Sequence, residues 1–405
     1  MSAQLADELW AKGVAEYLEG SSNPEQSRQG LSSFEASLDE DSTDSARHLF
    51  LATLRYVNGH ESEALGSYEA AIASRPGCGH AYLELVLCLE SKGRRDEARA
   101  VAQRAISAGA RWSNEWQRPP IFSNGLTSRS WWGRDHFPWA ADLESAFPQI
   151  KTELFQLLEA QGGGGPKMIP GGWPRVGEER ASQDGDIVAP GGEWREFVIY
   201  GTQDSSKAVA EHLPQTCALL EDVLPGAVAM AKIGVGEIIF SALAPGTKLV
   251  PHCASSNVRL TCHLGMACPE GARLRVGNEW SSWEEGKCIF FDDSFEHEVV
   301  HEGDGLRIVL LIRFWHPELR ADEWLPTLNA GMEEWSSMSE RRSSPPVNAA
   351  VAQLLAAKNG QLKLPQQQHS AAALLNADSG DFAPVTLATC STGLLPLTEV
   401  HDELD

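Results

Sequence analysis

From residue 194 to 316 the chain alternates apolar and polar positions in short runs: REFVIY, EIIFSAL, TKLVPHC, VRLTCHLGMA, ARLRVG, KCIFFDD, HEVVHE and LRIVLLIRF. Side chains alternate faces along a strand, and these runs are β-branched and aromatic, so each predicts a short strand. The turns APG, CPEG, WEEG and EGDG separate them. Eight short strands with regular turns predict a double sheet or jelly roll, whose mouth can hold a ligand. One helix-like piece, 206–223, precedes most of them.

Residues 1–110 follow a helical period instead. Gly59 and Gly93, Glu63 and Glu97, Ala64 and Ala98, Ala71 and Ala105, and Ile72 and Ile106 all stand 34 residues apart. Phe34 and Tyr68, Glu35 and Glu69, and Leu38 and Ile72 keep the same offset. Small residues for a tight helix crossing, a glycine at the turn and this period predict tetratricopeptide-like (TPR-like) repeats, about three of them stacked. The alternative is an ordinary helical bundle with accidental similarity.

The remaining segments differ in character. Residues 111–193 hold a Trp- and Pro-dense lead-in (SRSWWGRDHFPWAADLESAF), a helix-like piece at 143–160 and a Gly-rich stretch, 161–192, expected to be a lid or flexible connector. Those glycines follow no strand and precede no Lys-Ser/Thr pair, so they predict no phosphate cradle. Residues 321–405 predict a helix and then a largely disordered tail rich in Ser, Gln, Ala and Pro. The expectation is an α+β multidomain chain: helical repeats over 1–110, the lead-in over 111–193, the jelly-roll core over 194–320 and the tail over 321–405.

Charge narrows the partners. The formal net charge is −23 over 405 residues. Phosphate binding needs clustered Lys and Arg, so nucleic acid and anionic membrane surfaces are poor candidates. No apolar run reaches the ~18 residues of a spanning helix. The start, MSAQLADELWAKG, lacks the features of a secretory signal, and HDEL is followed by Asp405 rather than ending the chain. A cytoplasmic or otherwise soluble protein is expected. Eight dispersed cysteines fit free thiols.

Candidate chemistry lies in the strands. Arg259, Thr261 and His263 share one face of VRLTCHLG, and Arg307 heads the face that carries Val309 and Leu311. Polar groups on an inner face line a wet cavity. A buried arginine needs an anionic partner; its own strand offers none, so a bound carboxylate is attractive. His252 and His297, 45 residues apart, suit two metal ligands brought together by a jelly roll. Ala254 stands where a third, carboxylate ligand would be expected. Satisfied core histidines remain the alternative at this point.

The block PHCASSNVRLTCHLG, WEEGK, FDDSFEHEV and R…WHPEL resembles the aspartyl/asparaginyl β-hydroxylase family of Fe(II)/2-oxoglutarate dioxygenases. QRPPIFSNGLTSRSWWGRDHFPW, LESAFPQI and QTCALLEDVLP are similar to its lead-in, so the resemblance runs over about 111–320, and helical repeats ahead of it are a family arrangement. The resemblance implies a double-stranded β-helix, Fe(II) on His252 and His297, and 2-oxoglutarate with its distal carboxylate on Arg307 and Ser241. It further implies His263 at the cosubstrate's other end, O₂ as cosubstrate and Asp293 as an acceptor behind the metal site. Members with a small residue at the position of Ala254 exist, so two histidines suffice.

The implied reaction is hydroxylation of the β-carbon of Asp or Asn in a peptide or protein, presented by the repeats and the jelly-roll mouth. Thr261 stands where protein-hydroxylating members carry a substrate-gripping Arg, while Arg259 is retained. This leaves open the same chemistry on a small molecule or lipid, and Ala254 leaves open an inactive interaction scaffold. Cys253 reads as a small hydrophobe, His301 as a surface or supporting residue, and His316 as structural beside Trp315. Trp131, Trp132 and Trp139 read as core anchors.

Overall fold

The computed structural model describes residues 2–19, 24–109, 112–162, 172–176, 188–201, 209 and 211–340. Most of the Gly-rich stretch 161–192, the start of the 206–223 piece and the tail beyond 340 lie outside the described residues. The chain divides into two compact units, one built on Met1–Glu115 and the other on Trp116–Gly331.

Among the described residues the first unit holds six helices: α1 (Ser2–Glu19), α2 (Pro24–Glu40), α3 (Ser45–Val57), α4 (Glu61–Ser74), α5 (Gly79–Ser91) and α6 (Arg95–Ser107). They pack mainly in pairs, α1 on α2, α3 on α4 and α5 on α6. Positions 34 apart play matching parts. Gly59 and Gly93 turn from one helix to the next at φ +81° and +71°, which suits a residue without a Cβ. Ala64, Ala98, Ala71 and Ala105 are fully buried, as are Phe34 and Tyr68. The sequence period therefore marks structural repeats.

The second unit is a pair of antiparallel sheets. Its strands are β1 (Trp131–Trp132), β2 (Trp194–Tyr200), β3 (Ile238–Leu243), β4 (Lys248–His252), β5 (Arg259–Ala267), β6 (Ala272–Val276), β7 (Glu279–Ser281), β8 (Cys288–Phe291), β9 (His297–His301) and β10 (Arg307–Trp315). The larger sheet runs β1-β8-β5-β10-β3-β2 and the smaller β4-β9-β6-β7. This is a double-stranded β-helix, or jelly roll.

Alternation divides its core in two. Leu260, Cys262 and Leu264 of β5 and Ile308, Leu310 and Ile312 of β10 join α7 (Ala140–Ala160), α8 (Pro214–Val223) and α9 (Pro225–Lys232) on the outer face of the larger sheet. Val309 and Leu311 join Leu249, Leu274, Val276 and Val299 between the sheets. The two sets together bury both faces of β5 and β10.

The structure corrects several expectations. Within 206–223 the helix α8 begins at Pro214 and ends at Val223 as expected, and a second proline-opened helix, α9, follows it from Pro225 to Lys232. β1 and β7 were too short for the pattern to signal. Trp173, within the expected loose stretch, is fully buried against Phe197 at 5.7 Å, and Val176 donates its amide to Trp194. His301 is fully buried rather than on the surface; its Nε2 bonds the Gly305 carbonyl and its Nδ1 accepts from Gly303. Trp132 and Trp139 pack in the outer core and Trp131 against the inner one. His316 meets Trp132 edge-on at 5.2 Å. Among the described residues no helix is long and apolar enough to cross a membrane.

Candidate active site

His252 ends β4 and His297 begins β9, and the two are cross-strand partners. The ladder shifts register between Leu249 and His252, and the two rings lie side by side, with centroids 4.1 Å apart and planes tilted by 53°. His252 donates Nδ1–H to the Val250 carbonyl at 2.7 Å, and His297 donates its own to Phe295 at 2.9 Å. A ring so tied has its proton on Nδ1 and a lone pair on Nε2, the tautomer a metal needs. Burial pushes the pKa of both rings down, reinforced at His252 by its neighbour His297 and opposed at His297 by Asp293. Both are thus held neutral.

The segment 291–297 places His297 by a chain of buried contacts. Phe291 packs edge-on to His263 and lies 6.1 Å from His297. Asp292 accepts from the amide and hydroxyl of Ser294 and from Gln117. Burial holds its carboxyl well above the usual range, and the Asp293 carboxylate adds to this. Glu296, itself buried, pairs with Arg118 at 2.8 Å and Arg275 at 2.8 Å. Buried pairs of this kind are costly to break, so they fix the strand that carries the histidine. Asp293 lies behind the histidines. Its Oδ2 accepts from Thr261 at 3.0 Å and sits 3.5 Å from Arg313, while its Oδ1 is buried with no hydrogen-bond partner.

Arg307 opens β10 and is buried. Among the described residues it has no ion pair. Nη1 reaches the Ser241 carbonyl at 3.5 Å, and Nε has no partner. Burial lowers the guanidinium to about 9, partly offset by Cys268 and by the carboxylate of Glu196 on β2. Ser241, buried on β3, accepts from the Trp194 indole at 3.0 Å. His263 on β5 accepts the Trp283 indole N–H at Nδ1, 3.0 Å, and its Nε2 is buried without a partner. Three buried polar atoms, Oδ1 of Asp293, Nε of Arg307 and Nε2 of His263, therefore have no hydrogen-bond partner among the described residues. That is the signature of a ligand site.

Arg259, also buried, donates to the Val235 carbonyl. Thr261 is engaged with Asp293 and stands directly opposite Arg313 in the β5–β10 register. Arg313, which the sequence reading did not single out, approaches Glu237 and Asp293, both at 3.5 Å. Trp283, Arg118 and Arg275 were missed too. Trp283 lies in the WEEGK motif and Arg118 in QRPP, but their roles are contacts to side chains distant in sequence. Ala254 gives its amide to the Asp293 carbonyl at 2.7 Å, so the expected carboxylate position holds a backbone contact. Among the described residues no cluster of three or more His, Cys, Asp or Glu side chains is placed for a metal. Iron would rest on the two histidines, whose Nε2 lone pairs suit it.

A jelly roll that holds two neutral imidazoles on one sheet and, on the other, a buried arginine with no ion pair among the described residues defines a class: double-stranded β-helix proteins with a candidate metal and carboxylate site. Residues 144–317 match the family model described as aspartyl/asparaginyl beta-hydroxylase, so this stretch of the chain is similar to that family. It is 31% identical over 212 residues to the aspartyl/asparaginyl beta-hydroxylase of Mus musculus, 51% of this chain and 26% of that protein. It is 36% identical over 137 residues to aspartate beta-hydroxylase domain-containing protein 2 of Homo sapiens, 33% of this chain and 36% of that one. The chain thus matches only a quarter to a third of these relatives' lengths. A Pseudomonas putida prolyl-4-hydroxylase structure aligns with 47% of this chain and 94% of its own at 14% identity and a TM-score of 0.26, a likeness too weak to weigh.

Proposed function

We propose that the chain is an Fe(II)/2-oxoglutarate-dependent dioxygenase that hydroxylates the β-carbon of Asp or Asn in a peptide or protein. Two features support this reading: paired histidines with Nδ1 tied to backbone on one sheet, and on the other a buried Arg307 with no ion pair among the described residues. A planar guanidinium pairs best with a carboxylate, and a keto-diacid has one to spare at its far end.

When bound, ferrous iron with 2-oxoglutarate and O₂ supplies the oxidising power, giving succinate, CO₂ and a hydroxylated substrate. His252 and His297 hold the metal. Arg307 and the Ser241 hydroxyl hold the far carboxylate of the cosubstrate, and His263 donates from Nε2 toward its near end. Asp293 orients groups behind the metal, and the aromatic wall of Phe291 and Trp283 excludes water. Arg259 and Thr261 face the substrate side, with Arg313 adding positive charge there. The helical repeats and the mouth of the jelly roll present the peptide.

Thr261 bonding Asp293 instead of gripping substrate favours a second reading, the same reaction on a small molecule or lipid. Purified protein with Fe(II), ascorbate and 2-oxoglutarate is incubated with Asp- and Asn-containing peptides, free amino acids and acyl lipids. Succinate formation and gain of one oxygen atom on a peptide support the first reading; the same on another arm supports the second. No consumption of 2-oxoglutarate in any arm overturns both, leaving an interaction scaffold.

A further inference from the structure

One tryptophan touches both of the buried donors meant for the cosubstrate. Trp283, itself buried, follows β7 at the head of the turn into β8. Its Nε1–H donates to Nδ1 of His263 at 3.0 Å, and the two rings lie 5.9 Å apart at 27°. The Arg307 guanidinium lies over the same indole at 4.9 Å.

An indole N–H only donates. His263 must therefore accept at Nδ1, and as a neutral ring it carries its proton on Nε2. That is the atom left buried and unpartnered. The indole face meanwhile offers negative charge density to a cation that forms no ion pair among the described residues.

The indole is also fixed in place. Gly286, at φ +74°, donates its amide to the Gly265 carbonyl at 2.9 Å, and Gly265 donates to Lys287 at 3.1 Å. The Glu284 carbonyl lies 2.3 Å from where a Cβ on Gly265 would stand, so only glycine admits the turn. Trp283 is thereby bolted to β5 two residues beyond His263.

We propose that Trp283 is the positioning residue of the cosubstrate subsite: it locks His263 as an Nε2–H donor and props the charged Arg307, so both donors are set before a keto-diacid arrives. This rests on the roles given above to His263 and Arg307.

Trp283→Phe keeps a ring under Arg307 and removes the N–H. The first measurement needs no activity: imidazole ¹⁵N resonances of the metal-free protein. Wild-type His263 is expected as the Nε2–H tautomer, and Trp283→Phe as a mixture. The second is calorimetric binding of N-oxalylglycine, a non-reacting keto-diacid analogue, to Mn(II)-loaded protein. Trp283→Phe is expected to weaken it about tenfold, and to add little further loss on a His263→Ala background, because coupled residues are non-additive. If Trp283→Phe does not fold, benzothienylalanine at position 283 keeps the shape without the N–H. A variant that retains the Nε2–H tautomer and wild-type affinity overturns the proposal alone. Wild-type protein that does not bind the analogue overturns the cosubstrate reading and the proposal with it.

Discussion

His252 and His297 are cross-strand partners with ring centroids 4.1 Å apart, and each ring is held by a carbonyl two residues before it. The support is local to each strand, so losing one imidazole does not release the other. His252→Ala and His297→Ala are each expected to weaken Mn(II) or Fe(II) binding by well over tenfold with the fold intact, since loss of mere supporting groups already costs 10–100-fold. Metal titration followed by circular dichroism checks this. Wild-type metal affinity in either variant would remove the metal centre from the argument.

Asp293 is the carboxylate that raises the pKa of His297 against the effect of burial. Its Oδ2 is occupied by Thr261 and faces Arg313, while its Oδ1 has no partner among the described residues. Asp293→Ala is expected to lower metal affinity by about 10–100-fold and to leave the ligands themselves in place. A Co(II) titration read by visible absorption measures both affinity and geometry, and an unchanged isotherm would assign Asp293 to folding alone.

Arg307 makes an opposite pair of predictions for stability and binding. A buried cation with no ion pair among the described residues costs the ligand-free protein stability, and burial lowers it to about 9 despite the carboxylate of Glu196. Arg307→Met is therefore expected to leave the ligand-free melting temperature equal or higher. The same variant loses the thermal shift that a keto-diacid gives the wild type. Differential scanning calorimetry with and without N-oxalylglycine reads both; a large loss of ligand-free stability would show that Arg307 has a structural partner instead.

Much of this was legible in the chain. The period-two runs located the eight longer strands, and the 34-residue offset located turns such as Gly59 and Gly93. Strand alternation put Arg259, Thr261 and His263 on one face, and the family motifs named the histidines. What stayed hidden depends on distance in space. Arg313 lies opposite Thr261 only through the β5–β10 register, and Trp283 reaches His263 only because Gly265 admits the turn beside it. The helix α9, which Pro225 opens directly after the 206–223 piece, was not signalled by the pattern. His301 looked like a turn residue because its neighbours are polar, yet the turn folds over it.

The helical unit makes its own test at the α1–α2 crossing. A Cβ on Gly13 would stand 2.7 Å from the Phe34 ring and 3.0 Å from the Gly30 carbonyl. Phe34 is fully buried and touches Trp10, Tyr17 and Phe50, so it has little room to yield. Gly13→Ala is expected to destabilise this unit by about 1–3 kcal/mol despite alanine's better helix propensity. Urea unfolding followed by circular dichroism decides; a stabilised variant would mean that the crossing opens freely.

The same unit buries a carboxyl. Glu84 on α5 is almost wholly enclosed, with His80 one turn earlier at 3.9 Å, and burial raises it from 4.5 to about 7. The sign follows from proton counting. Below pH 4.5 both folded and unfolded chains hold the proton and Glu84 costs nothing extra. As pH rises from 4.5 to about 7 the unfolded chain releases it while the folded one keeps it, so stability falls. Above that window the folded chain bears the full penalty, on the order of 2–3 kcal/mol. Glu84→Gln removes the charge and keeps the shape, so its stability gain over wild type is expected to be larger at pH 8 than at pH 5. Urea midpoints of the full chain at the two pH values measure the difference. An equal effect at both would mean that Glu84 ionises at its ordinary pKa, reached by water or paired with a protonated His80.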